Sequence, residues 1–298
     1  MKPILIAALL LLCSSVHAED SDTVRVKHVK PDREDTTRLI GHVYHVNFWG
    51  SAAITVGAEL GVLAAQIWPL SDKPPLTNAE FDNLQSPTNR SLVNPLDRIS
   101  LRLGLPTVNY NFIAADFQVL CAAAPLALLF GERYRENWDD IVLLMAEVNA
   151  INMFTFQFSP FGTYFQKRYR PIVYYAVTQS QRDLNNAGSN RLSFYSGHTS
   201  AAAASLFLMA KIYCDYNPQI EGWDKVGIYA LASVPPLFMG VLRIVALQHW
   251  PSDVLVGGLV GGTIGIVVPE MHRILGKDAS LGAYSSPEST GLRLALKL

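Results

Sequence analysis

Charge is what this sequence is short of. Only 16% of its 298 residues are Asp, Glu, Lys or Arg, against about a quarter in a typical soluble domain. The formal net charge is −1 and no dense basic block occurs, so the electrostatic footprint of a nucleic-acid binder is missing. Cysteine is scarce too. Cys13, Cys121 and Cys214 are the three present, too few for a disulfide scaffold. Cys121 and Cys214 each lie in an apolar stretch, where a buried free thiol is the usual state, with one bond between them the alternative. Clusters of His, Cys, Asp and Glu at metal-ligand spacing are lacking, and no metal or other cofactor is expected.

What is abundant is hydrophobic surface, 50% of the chain. The first residues read as an export signal: Lys2, an apolar run from Ile4 to Leu12, then Val16-His17-Ala18 before Glu19. That run is too short to cross a bilayer, which takes about 20 residues. This division gives a signal at 1–18, a charged leader at 19–40, a main domain at 41–275 and a tail at 276–298. Within the main domain, apolar stretches recur at Val43–Leu70, Phe112–Phe130, Ile141–Phe158, Ser200–Tyr213, Val226–Leu247 and Val254–Val268. Their length and their Ala, Leu, Val and Gly content favour helices over strands. An all-α fold of about six core helices follows.

Two polar connections separate these stretches. Ser71 to Arg102 contains Pro74, Pro75, Pro87 and Pro95, with an amphipathic turn at Leu96 to Leu103. Thr178 to Leu192 is rich in Asn and reads as a surface loop. The final residues, Gly291 to Leu298, alternate as a strand does. Glu59, Asp116 and Glu147 fall in or near the apolar stretches, which is costly in lipid unless they face a bundle interior. With a cleaved signal, six crossings would leave the loops bearing Arg170, His198 and His249 in the cytoplasm. A periplasmic bundle lying against the inner membrane suits an exported protein better.

Three segments concentrate reactive side chains. In Gln166 to Pro171, Pro171 biases Arg170 away from helical geometry and sets it at a helix end. Alone, this is a basic helix terminus. In Ser196-Gly197-His198, a polar turn runs into the Ala-rich helix of Ala201 to Ala204. Free N–H groups at such a start bind anions, and an ordinary serine cap with a surface histidine explains it equally well. In the third, Arg243 precedes His249-Trp250-Pro251-Ser252-Asp253. Pro251 suits the first turn of a helix, which brings the Asp253 carboxylate within reach of one imidazole nitrogen and leaves the other free to attack. A structural His–Asp pair capping the helix is the competing reading.

Taken together, the segments resemble the acid phosphatase and vanadium haloperoxidase superfamily, also called the type 2 phosphatidic acid phosphatase family. Its pattern is a lysine, six residues and Arg-Pro; then Pro-Ser-Gly-His; then Ser-Arg, five residues, His, three residues and Asp. Arg170-Pro171, Ser196-Gly197-His198, and Arg243 with His249 and Asp253 match in register. Three positions depart, since Thr163, Tyr195 and Leu242 replace the lysine, the proline and the serine. Thr163 removes a cation. Lys167, one turn further on and on the same helical face as Thr163 and Arg170, is expected to compensate, or else the site holds phosphate more weakly.

The resemblance implies a helical bundle and a phosphatase acting on a phosphate monoester or pyrophosphate, with a membrane lipid phosphate favoured by so apolar a chain. It implies that Arg170, Arg243, Ser196 and Gly197 hold the phosphoryl oxygens. His249 would attack phosphorus, Asp253 would orient it, and His198 would protonate the leaving alcohol and then activate water. No metal is implied, and vanadate is expected to inhibit. A soluble broad-specificity acid phosphatase, a vanadium haloperoxidase and a non-catalytic envelope protein are the alternatives. Oligomeric state is not legible.

Overall fold

The computed structural model describes residues 43–67, 73–106, 108–160, 162–163, 165–285 and 290–296. The expected export signal and charged leader lie outside the described residues. Among the described residues, each of the six apolar stretches contributes a helix. They are α1 (Phe48–Ile67), α4 (Tyr110–Ala123, extended by a 3-10 segment Ala124–Phe130), α6 (Trp138–Phe158), α8 (Gly197–Tyr216), α9 (Gly222–Val245) and α10 (Pro251–Asp278). Between them lie the short helices α2 (Asn78–Gln85), α3 (Pro87–Leu92), α5 (Glu132–Arg135) and α7 (Gln179–Asn185).

The polar connections are more ordered than their composition suggests. Thr77 and Glu80 close a capping box that starts α2, and Thr178 with Gln181 does the same for α7. Each pair satisfies two N–H groups that a helix start otherwise leaves open. Thr178–Leu192 is therefore a helix and a 3-10 turn (Gly188–Arg191), not a plain surface loop. The turn expected near Leu96 is a 3-10 segment, Asp97–Arg102. Helix α10 runs beyond 275 to Asp278. After it, β1 (Ala279–Ser285) and β2 (Thr290–Leu296) pair antiparallel, so the alternating tail is one arm of a hairpin.

Helix α8 is the axis of the bundle. Every residue from Thr199 to Ser205 is buried, and α4, α6, α9 and α10 pack around it. A helix buried on all sides can be apolar all round, and the Ala-rich sequence keeps it thin. Against it, α10 lies parallel and very close. A Cβ placed on Gly257, Gly261 or Gly265 would stand 2.5, 1.9 and 2.3 Å from the carbonyl oxygens of Ser196, Ser200 and Ala204. Glycine at these three positions lets backbone meet backbone. Both helices start at the same end of the bundle, which fixes Ser196–His198 beside His249–Asp253.

The outer helices face the other way. Five segments are long and apolar enough to cross a membrane: Phe48–Ala65, Tyr110–Phe130, Trp138–Phe158, Gly222–Val245 and Pro251–Ile274. Over Phe48–Ala65 only 17% of residues are buried, too few for a core helix of a soluble bundle. Trp49, Phe112, Leu231 and Leu259 all point outward. Cys121 and Cys214 are both buried free thiols.

Candidate active site

The site sits where α8 and α10 begin. Ser196 caps α8, its Oγ accepting the Thr199 N–H at 3.4 Å and lying 2.9 Å from Thr199 Oγ1. Its own N–H donates to the Asp253 carbonyl at 3.0 Å, tying the two helix starts together. Gly197 follows because a Cβ there would sit 3.0 Å from the Phe156 ring. The first-turn N–H groups of α8 have no partner within the helix, which places partial positive charge at its start.

His249 is 4% exposed. Its Nδ1 lies 2.6 Å from the Ser193 carbonyl oxygen. A carbonyl only accepts, so Nδ1 carries the proton and Nε2 keeps its lone pair. Asp253 Oδ2 is 3.8 Å from the same Nδ1, outside hydrogen-bonding distance. That oxygen instead accepts from Ser193 Oγ at 2.6 Å and from the Trp250 N–H at 2.9 Å. Asp253 therefore holds the ring indirectly: the carboxylate fixes Ser193, and the Ser193 carbonyl fixes the imidazole. Just before His249, Leu247 adopts a left-handed φ of 54°, a conformation that costs a branched side chain on the order of 1–2 kcal/mol. Burial of Leu247 and the bond from the Ile172 N–H to its carbonyl at 3.0 Å hold it there.

Two guanidinium groups face the histidines. Arg170 precedes the 3-10 segment Pro171–Tyr175, and its backbone N–H binds the Asn190 carbonyl at 2.9 Å. Its Nη1 donates to Gln248 Oε1. Arg243, near the end of α9, donates Nη1 to Asn111 Oδ1 at 2.9 Å. The Nε of each is buried without a hydrogen-bond partner. Burial holds the Arg170 guanidinium below its usual range, partly offset by Asp253. The same two cations act on the histidines. Burial and then the charges of Arg243, His249 and Arg170 lower His198 to about 3. Burial lowers His249 to about 4, with Arg170 and Arg243 adding to the effect and Asp253 opposing it. Both rings are neutral at pH 7. Donors converge around two neutral imidazoles, an arrangement able to hold an oxyanion beside an unprotonated ring nitrogen.

The structure thus brings Arg170, Arg243, Ser196, Gly197, His198, His249 and Asp253 to one end of the bundle. Lys167 stands apart. The chain after α6 turns at Gly162, where a Cβ would meet the Phe156 carbonyl at 2.6 Å, and residues 165–170 are not helical. The helical face expected to align Thr163, Lys167 and Arg170 does not form. Thr163 is buried and donates to Gln157 Oε1 at 3.1 Å, while Lys167 is exposed. Arg170 likewise opens a 3-10 turn instead of closing a helix. Sequence reasoning missed Ser193, Gln248, Asn111, Arg168 and Asp97. Arg168 binds Asp97 and Asp253 at once; those partners lie 71 and 85 residues away in sequence, beyond any local spacing signal.

An all-helical bundle with this centre narrows the class, and comparison with known proteins adds a family match. Residues 141–277 match the model of the PAP2 superfamily. A 78-residue stretch is 40% identical to lipid A 1-phosphatase of Porphyromonas gingivalis, covering 26% of this chain and 16% of that protein. Another of 83 residues is 32% identical to phospholipid phosphatase 1 of Rattus norvegicus, covering 26% of this chain and 28% of that protein. The chain thus spans less than a third of either curated relative. No solved structure matches it.

Proposed function

We propose that the protein hydrolyses a phosphate monoester or pyrophosphate carried by a membrane lipid, through a phosphohistidine. The observation that carries this reading is a pair of guanidinium groups, each with a buried and unpartnered Nε, acting on two neutral imidazoles. Arg170 and Arg243, with the N–H groups at the start of α8 and the Ser196 hydroxyl, hold the phosphoryl oxygens. His249 Nε2 attacks phosphorus, and the bond to the leaving oxygen breaks. The dianion cancels the arginine charges and lets His198 take up the proton it then gives to that oxygen. In the second step His198 removes a proton from water, which attacks phosphorus and frees His249.

A lipid substrate is supported by the names of the two relatives and by the outward apolar faces of α1, α4 and α9. On this reading the helices lie in the inner membrane with the site at its periplasmic face. Tyr44 bonds Asp215 at the far end of α8, so α1 enters from the side opposite the site. A crossing bundle with a periplasmic site puts Tyr44 in the cytoplasm, whereas cleavage after Ala18 puts it outside. N-terminal sequencing of the membrane-bound protein separates the two: Glu19 as first residue removes the crossing arrangement.

The activity test uses detergent-solubilised protein, an aryl phosphate and a panel of lipid phosphates. Turnover should persist after EDTA dialysis and stop with micromolar-to-millimolar vanadate. A rate restored only by Mg²⁺ or Zn²⁺ would overturn the arginine-only cradle.

A further inference from the structure

Behind His249 lies a charged group that the steps above do not use. Asp97 and Asp253 both have fully buried side chains, and Arg168 lies between them, one nitrogen on each carboxylate. Ser252 is held in the same knot. Its N–H donates to Asp97 Oδ1 at 2.9 Å, its hydroxyl to Asp97 Oδ2 at 2.8 Å, and Arg168 Nη1 reaches that hydroxyl at 2.8 Å. Asn94 donates to Asp97 from the side. The guanidinium lies 5.5 Å from the Trp250 ring centre, on the residue next to His249. The backbone takes part as well, because the Arg168 carbonyl accepts the Ser193 N–H at 2.9 Å. Ser193 is the residue whose own carbonyl fixes His249.

Two carboxylates around one guanidinium leave a net charge of −1. Without Asp97, Arg168 would cancel Asp253, and an imidazole gaining positive charge on phosphorylation would face no counter-charge. Without Arg168, two buried carboxylates would stand uncompensated, and unpaired buried charge is costly. Asp97 lies on the 3-10 segment Asp97–Arg102, outside the 141–277 stretch that matches the family. We propose that Asp97 and Arg168 are positioning residues that hold Asp253 and Ser193 against His249 and set the charge behind its ring. This rests on the phosphohistidine reading above.

A purely structural brace and this one differ in a measurable sign. The charged and titratable groups facing His249 are Arg170, Arg243 and the neutral His198 in front and the Asp253–Arg168–Asp97 group behind. Removing Asp97's charge makes those surroundings more positive, and removing Arg168's makes them more negative. In protein labelled with ¹⁵N-histidine and titrated from about pH 2.5 to 7, the Arg168→Gln ring of His249 should protonate at higher pH than wild type. The Asp97→Asn ring should protonate at lower pH. Each variant should lose about 10–100-fold in kcat, the usual weight of an outer-shell partner, with KM for an aryl phosphate little changed. Arg168→Lys keeps the charge but cannot fork to both carboxylates, so its titration should stay near wild type while kcat falls.

Shifts in the same direction, or no shift in either variant, would overturn the proposal. If Arg168→Gln does not fold, the direction in Asp97→Asn decides alone. Wild-type protein that turns over no phosphate sinks the phosphatase reading but leaves the titration to decide the brace.

Discussion

At the start of α8, Arg170 and Arg243 each keep a buried Nε without a hydrogen-bond partner, and two neutral imidazoles share their space. At its last turns, about 22 Å away along a helix of 1.5 Å rise, Lys211 is buried too but binds both Asp215 and Glu270. Glu270 also takes Arg273 at 2.5 Å, and Asp215 takes the Tyr44 hydroxyl at 2.8 Å. One end keeps Arg170 and Arg243 short of partners, and the other pairs Lys211 and Arg273. A charge already neutralised in place serves the fold; a charge held without a full complement serves a ligand that comes and goes.

That contrast can be broken experimentally. His249→Ala should abolish turnover, a loss on the order of 10⁵–10⁶-fold if it is the nucleophile, and should leave no phosphoenzyme in rapid-quench samples kept alkaline. His198→Ala should still accumulate some from an aryl phosphate, whose leaving group needs little protonation. Label on His198 would reverse the assignment. At the far end, Lys211→Met leaves the buried Asp215 carboxylate without its cation and should cost about 3 kcal/mol of stability while kcat stays at the wild-type value. A fall in kcat without a fall in melting temperature would erase the distinction between the ends.

Smaller effects sharpen it. Arg243→Met removes one charge-assisted contact, about 1.5–3 kcal/mol, and should slow turnover roughly 10- to 100-fold. Lys167→Ala, at an exposed position, should fall below that range; a larger loss would show that the lysine reaches into the cradle. Proton linkage is the subtlest test. His198 and His249 sit at about 3 and about 4 in the free site, and a bound anion offsets the arginine charges and raises both. Between the free and bound values the complex holds more protons, so vanadate binding should take up protons just above the free values and weaken as pH rises through the bound ones. Calorimetry in buffers of different ionisation enthalpy measures this, and zero uptake would mean the arginines do not set the histidine protonation.

The helices and the reactive residues were legible in the sequence for different reasons. Long apolar stretches such as Val226–Leu247 announce helices by length alone, and Ser196-Gly197-His198 and His249 to Asp253 act through neighbours three or four residues away. What stayed hidden depends on the third dimension. Asp97 meets Arg168 across 71 residues, and Asn111 meets Arg243 across 132. The helical alignment of Thr163 with Lys167 failed because the turn at Gly162 breaks the chain into an extended segment. The helix at Gln179–Asn185 was within reach, since Thr178 and Gln181 have capping-box spacing, but the Asn-rich composition pointed to a loop.

The three glycines of α10 have a consequence for how the site tolerates change. The gap between the loop carrying His249 and the turn carrying His198 is gauged by carbonyl oxygens pressed on Cα atoms, with no side-chain rotamer in between. A seam of that kind has no slack to take up and no filler to repack. Substitutions on the outward faces of α1, α4 and α9 can then drift freely while the distance between the two imidazoles stays put, and a single methyl at Gly261 would spoil it.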